Sequence, residues 1–178
     1  MAGLDVNLEP WGPDQASLDS ASQVTLQHPS VRAHLDGTRH RLISCELVDA
    51  DDKSEVLSPP SRYRATVFDY TNNRAVIAQA SLAEPQVVEV AVSNSQPVPS
   101  FEEFEAALSI LSTDPQLGGA LNDGRLRAYR PMPPVIADTT ERLLCVGLLP
   151  REAGSQVHHE IVGVNMLRDE VVRFDGNA

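Results

Sequence analysis

The strictest constraint on this chain lies between residues 62 and 82. Arg62, Arg64, Thr66 and Phe68 alternate with Tyr63, Ala65, Val67 and Asp69. Successive side chains of a strand point to opposite faces, so a period of two marks a strand. Tyr70-Thr71-Asn72-Asn73 follows, and then a second run from Arg74 to Leu82. Asparagine tolerates left-handed backbone, so the paired asparagines predict a hairpin with a tight turn. An antiparallel hairpin at the centre of a chain must bury a face against another layer.

The flanking segments supply that layer and more strands. His40 to Val48 and Val87 to Val92 read as strands of the same meander. Ser100-Phe101-Glu102-Glu103 is a capping box: the Ser100 hydroxyl accepts from the Glu103 amide and the Glu103 carboxylate reaches back to Ser100. Phe101, Phe104, Leu108 and Leu111 then share one helical face. Asp114-Pro115 opens a second helical turn, with Asp as N-cap and Pro at the first position. Asn122-Asp123-Gly124 stops it. Leu126 to Val135 reads as an extended, basic crossing segment. Glu141 to Pro150, Val157 to Leu167 and Val171 to Phe174 read as further strands. Strands on both sides of one helical pair predict an α+β fold, an antiparallel sheet packed against a helical hairpin. Residues 1–25 space Leu4, Val6, Leu8 and Trp11 too loosely for a core element, so they are expected to form a flexible N-terminal arm. Residues 26–178 are then expected to form a single domain, and the chain carries no internal repeat of solenoid length.

Charge narrows the function classes. The chain of 178 residues has 25 acidic and 14 basic side chains, a net charge of −11, and Lys53 is its one lysine. Nucleic acids and anionic membranes call for a cationic surface, so neither is an expected partner. The opening residues have neither a basic region nor an apolar stretch. The longest apolar run, Leu143 to Leu149, falls far short of the ~20 residues of a membrane span. A soluble, cytoplasmic protein is the expectation. Cys45 and Cys145 both sit in apolar runs and read as buried thiols.

Several of these segments, taken in order, resemble the small N-terminal domains that precede the catalytic domain of copper amine oxidases. The residues that carry the resemblance are Arg64-Ala65-Thr66-Val67-Phe68-Asp69, Ala75 to Leu82, Val87-Val88-Glu89-Val90, Gln96-Pro97 and Phe101 to Ala107. Asp114-Pro115, Ala120-Leu121, Glu141-Arg142-Leu143-Leu144, His159 to Asn165 and Asp169 to Phe174 continue it. The resemblance covers about two thirds of the chain, Arg62 to Phe174. It implies a cystatin-like fold, a curved antiparallel sheet cradling a helix, and a role without catalysis. The family's chemistry belongs to a C-terminal β-sandwich that has no counterpart here. Tyr70 stands between Asp69 and Thr71, not in the Asn-Tyr-Asp/Glu setting of the family's cofactor. His28, His34, His40, His158 and His159 form no His-x-His pair.

Reactive constellations are sparse. His158 and His159 are neighbours in a predicted strand, so their rings point apart and do not share an ion. The three aspartates of Asp49-Ala50-Asp51-Asp52 lack the glycine and distal glutamate of an EF-hand loop. Gly154-Ser155 has no base placed beside it, and Gly118-Gly119 is not a phosphate loop. A Cys145–His159 dyad would need adjacent strands and an electropositive setting that Cys145 lacks. Glu102, Glu103 and Glu105 read as helix-start residues that complement the dipole. Arg62, Arg64, Arg127, Arg130 and Arg142 either converge to hold an anion or balance acids on a solvated face; the second is the expectation. No catalytic, cofactor or metal residue is assigned. The expected function is a non-catalytic binding or interaction module, with another protein or a second copy as partner. The alternatives are an accessory subunit of a separately encoded amine oxidase and a small cystatin/NTF2-like enzyme with a deep polar pocket.

Overall fold

A computed structural model describes residues 12–48, 59–136, 141–151 and 158–174. The order is α1 (Gln15–Gln27), α2 (Pro29–Leu35), β1 (His40–Val48), β2 (Arg62–Asp69), β3 (Arg74–Ser81), β4 (Glu89–Ser93), α3 (Phe101–Ser112), α4 (Gly118–Asn122), β5 (Leu126–Tyr129), β6 (Leu143–Pro150), β7 (Glu160–Asn165) and β8 (Glu170–Arg173). The fold is α+β and every strand pair is antiparallel.

The predicted hairpin is present. Arg62 pairs with Ser81 at the open end and Asp69 with Arg74 at the turn. The connection is four residues long, and Asn73 takes the left-handed conformation at φ 50°. Asp69 fixes it: its carboxylate accepts from the Asn72 amide at 3.1 Å, the Asn72 side chain at 2.6 Å and Arg74 Nε at 3.2 Å.

One sheet was expected; the described residues form two, each a four-stranded meander in chain order, β1-β2-β3-β4 and β5-β6-β7-β8. The break falls after β4. Residues 94–100 include Pro97 and Pro99, which cannot donate to a ladder. The chain leaves the first sheet there and starts α3. The segment from Leu126, expected only to cross, begins with β5, and Arg127 faces Leu149 across it.

Residues 15–25, expected within a flexible arm, belong to α1 (Gln15–Gln27), so the boundary placed after residue 25 falls inside a helix. Asp14 caps it, accepting from the Ser17 amide at 2.9 Å. Its buried positions are Leu18, Ala21, Ser22 and Thr25. Three of these are small or polar, which hides the helical period. Trp11 lies outside the described residues.

Each sheet carries its own helices. Leu18 and Ala21 of α1 pack on Tyr63 and Ala80, and Val31 and Leu35 of α2 on Val67, Val76 and Ala78. Thr25 Oγ1 and Tyr63 Oη share a buried hydrogen bond of 2.7 Å at that layer. In the second half, Phe104, Ala107 and Leu111 of α3 lie against Leu144, Val146, Leu148, Val162 and Val164. The opposite face of the first sheet joins this core through Ile43, Phe68, Tyr70 and Ala75. The two halves therefore share one apolar cluster. Asp114, expected as a helix cap, instead closes a turn by accepting from the Gln116 and Leu117 amides, both at 2.9 Å. The helix α4 starts at Gly118. Among the described residues, no helix is long and apolar enough to cross a membrane.

Candidate functional site

The only fully buried opposite charges in contact, among the described residues, meet where the two halves join. Glu103 comes from the first turn of α3 and Arg142 from the residue before β6; both are completely enclosed. Arg142 Nε donates to Glu103 Oε1 and Nη2 to Oε2, both at 2.5 Å. This two-pronged geometry is the strong form of a carboxylate–guanidinium pair. Arg142 Nη1 donates to Gln96 Oε1 at 3.1 Å and to the Pro97 carbonyl at 3.2 Å. From the first half, Tyr70 Oη donates to Glu103 Oε1 at 2.7 Å.

The aromatic rings extend the cluster. The Arg142 guanidinium lies 4.4 Å from the Phe68 ring centre, and Phe68 meets Tyr70 edge to face at 5.2 Å. The Arg39 guanidinium lies over the Tyr70 ring, 5.0 Å from its centre. It also donates to the carbonyls of Met166, at 2.5 Å, and Leu167, at 3.1 Å. Burial pushes the Tyr70 phenol well above its ordinary value, and the adjoining Glu103 carboxylate adds to the rise. Tyr70 is therefore neutral and a donor at any physiological pH. Among the described residues, no buried side-chain nitrogen or oxygen lacks a partner.

Glu103 departs from its expected role. The Ser100 hydroxyl accepts from the Glu103 amide at 3.1 Å, so half of the capping box forms. The carboxylate turns inward to Arg142 instead of back to Ser100. The signal was its spacing: Glu103, Ala107 and Leu111 recur every four residues on the buried side of α3. The arginines considered together do not converge. Arg62 and Arg64 lie 3.6 and 3.7 Å from Glu89 and Glu46 on an exposed face. Arg130 donates to the Pro99 carbonyl at 2.5 Å and covers the Phe104 ring. Arg127 is exposed on the outer face of the second sheet.

The histidines are dispersed. His28 caps α2 and contacts the Gln86 carbonyl at 3.1 Å. His40 Nδ1 contacts the Thr38 carbonyl at 3.0 Å. His159 stacks on Tyr129, with its Nε2 2.8 Å from the phenol oxygen. Among the described residues, no three His, Cys, Asp or Glu side chains are grouped to hold a metal. Cys45 and Cys145 are free thiols, and burial raises the pKa of both. Cys145 pairs with Gly163, whereas Leu148 pairs with Glu160. His159 thus lies about 13 Å along the strand from Cys145, beyond reach for a dyad. The acidic segment at Asp49 to Asp52 and Gly154-Ser155 lie outside the described residues.

Between the second sheet and α3, Phe104, Ala107 and Leu111 pack in one apolar cluster with Leu144, Val146, Val162 and Val164. Cavities open on the surface, one of about 530 Å³ beside α1 and residues 82–85, another of about 470 Å³ at the end of β5 and β6. No family model matches the chain, and no curated protein matches it.

Proposed function

We propose that this chain is a non-catalytic binding or interaction module, related in build to the cystatin-like N-terminal domains of copper amine oxidases. The carrying observation is the closed cluster of Tyr70, Glu103 and Arg142. An acid–base group in catalysis must reach a substrate and titrate near the working pH. Here the buried carboxylate, phenol and guanidinium satisfy one another, and burial moves the titration of the phenol further above neutral pH, so it keeps its proton. The cluster acts as a clamp between two α+β halves. Each half is a four-stranded antiparallel meander with its own helices, which supports the likeness to small accessory domains.

The test has two arms. The purified full chain, supplied with copper, is assayed for peroxide release from benzylamine and tyramine; none is expected. Sedimentation velocity then follows the chain alone and mixed with the catalytic domain of a copper amine oxidase. Self-association or a complex is the expected result. Amine turnover by the chain alone, or a monomer that ignores both itself and the catalytic domain, would overturn the reading.

A further inference from the structure

Arginine pairing in this molecule has a pattern with one gap. Among the described residues, nine of the 13 arginines lie within 4.0 Å of a carboxylate oxygen. That is expected of a chain with 25 acids and a net charge of −11. Arg130 is held by the Pro99 carbonyl and the Phe104 ring. Arg41 lies in the field of Glu102 and Tyr70. The remaining two, Arg127 and Arg151, have no acidic partner among the described residues, and both line the same cavity.

The sheet places them there. Arg127 of β5 pairs with Leu149 of β6, and the Arg151 amide bonds to the Arg125 carbonyl at 3.0 Å. Leu126 points inward to the core, so Arg127 points outward, and so do Leu149 and Arg151 two residues apart. Diagonal neighbours on one face of an antiparallel pair stand about 7–8 Å apart. From backbone positions that close, two long cationic side chains can both reach one anion set between them, and without it their like charges repel. Arg125, on the same face, is already bound to Asp123 at 2.8 Å. Leu149 and Pro150 give the cavity an apolar wall, and its volume of about 470 Å³ suits a small organic molecule.

We propose that this corner binds a small organic oxyanion, with a phosphate or carboxylate head held between the forks of Arg127 and Arg151 and an apolar body against Leu149 and Pro150. A planar guanidinium matches both heads with two parallel hydrogen bonds, which a lysine cannot reproduce. The proposal is independent of the amine oxidase likeness and stands or falls without it.

The experiment is a titration of the isotope-labelled full chain with inorganic phosphate, phenyl phosphate and benzoate, followed by amide shifts. Arg127, Leu149 and Arg151 are expected to shift in a saturable way, more tightly with an aromatic probe than with phosphate alone. Phenyl phosphate prevailing over benzoate identifies a phosphate head; the reverse identifies a carboxylate. The variant R127A/R151A should weaken binding at least ~tenfold, a loss of about 1.4 kcal/mol. R127K/R151K, which keeps the charge but not the fork, should fall between. Both positions are exposed, and an unchanged circular dichroism melt verifies that the variants are folded. Absence of saturable shifts with all three probes, or equal affinity in R127A/R151A, overturns the proposal. So does binding of an acidic peptide at this corner when none of the small probes binds.

Discussion

Glu103 holds two partners with two oxygens, and that economy sets what its replacement does. Removing either member of a buried ion pair leaves the other charge enclosed and uncompensated, at a cost of about 3–5 kcal/mol. Glu103→Ala and Arg142→Met are each expected to lower the unfolding free energy by that amount in urea titrations. Glu103→Leu combined with Arg142→Met should cost less than either single change, because no stranded charge remains. Tyr70→Phe removes one hydrogen bond to a charged acceptor, worth about 1.5–3 kcal/mol. It also has a pH signature. The folded phenol titrates above the unfolded value of about 10. Below pH 10 both states hold the proton and the full stabilisation is present. Above it the unfolded chain releases the proton first, so wild-type stability falls as pH rises. The gap between wild type and Tyr70→Phe should therefore narrow above pH 10, and a constant gap in alkaline urea melts would contradict the assignment. Little of this cluster was legible beforehand. Arg142 stood among five arginines and Glu103 in a helix cap, because sequence spacing places both near the ends of elements and says nothing of which ends meet.

At the scale of elements, the legible parts were those with strong periodicity. The β2–β3 hairpin followed from alternation and from asparagines suited to positive φ, and α3 from its Ser100 cap and apolar stripe. Helix α1 was not legible because Ala21, Ser22 and Thr25, which it buries, carry no hydrophobic signature. Its neighbour α2 shows the energetic consequence. Leu35, 3% exposed, seals the helix layer of the first sheet. Leu35→Ala should cost about 2–5 kcal/mol, whereas Val98→Ala, at a position 70% exposed, should change stability by no more than about 0.5 kcal/mol. Thermal melts of the two variants separate them. Close approach defines a second sensitive point. A methyl group on Gly118 would stand 2.3 Å from the Ser112 carbonyl oxygen, where α4 turns back on α3. Backbone cannot yield as a side chain can, so Gly118→Ala is expected to destabilise by about 1–3 kcal/mol or more. For Gly147→Ala the nearest atoms to the new methyl group belong to the Tyr129 ring, at 2.1 Å. That ring can swing away, so the variant should fold while losing the Tyr129–His159 stack, read from the His159 ring resonances.

For the whole molecule, the shared cluster around Phe68, Tyr70, Phe104 and Leu144 ties two sheets that have no strand in common. Arg39 adds a second tie, from the residue before β1 to two carbonyls of the β7–β8 turn. The expected behaviour is one cooperative unfolding transition by calorimetry, with calorimetric and van't Hoff enthalpies equal. Two resolved transitions would mean that the halves melt separately. The number of sheets lay beyond sequence patterning, since a run of strands looks the same whether it continues one ladder or founds another. The meander order has its own consequence for biosynthesis. Every ladder joins strands adjacent along the chain, so each half can assemble from short-range encounters. Residues 12–93 hold all that the first sheet needs, and they leave the ribosome well before Arg142 does. During that interval the hydroxyl of Tyr70 and the ring of Phe68 face water, and the nascent half is sticky until translation delivers its cover.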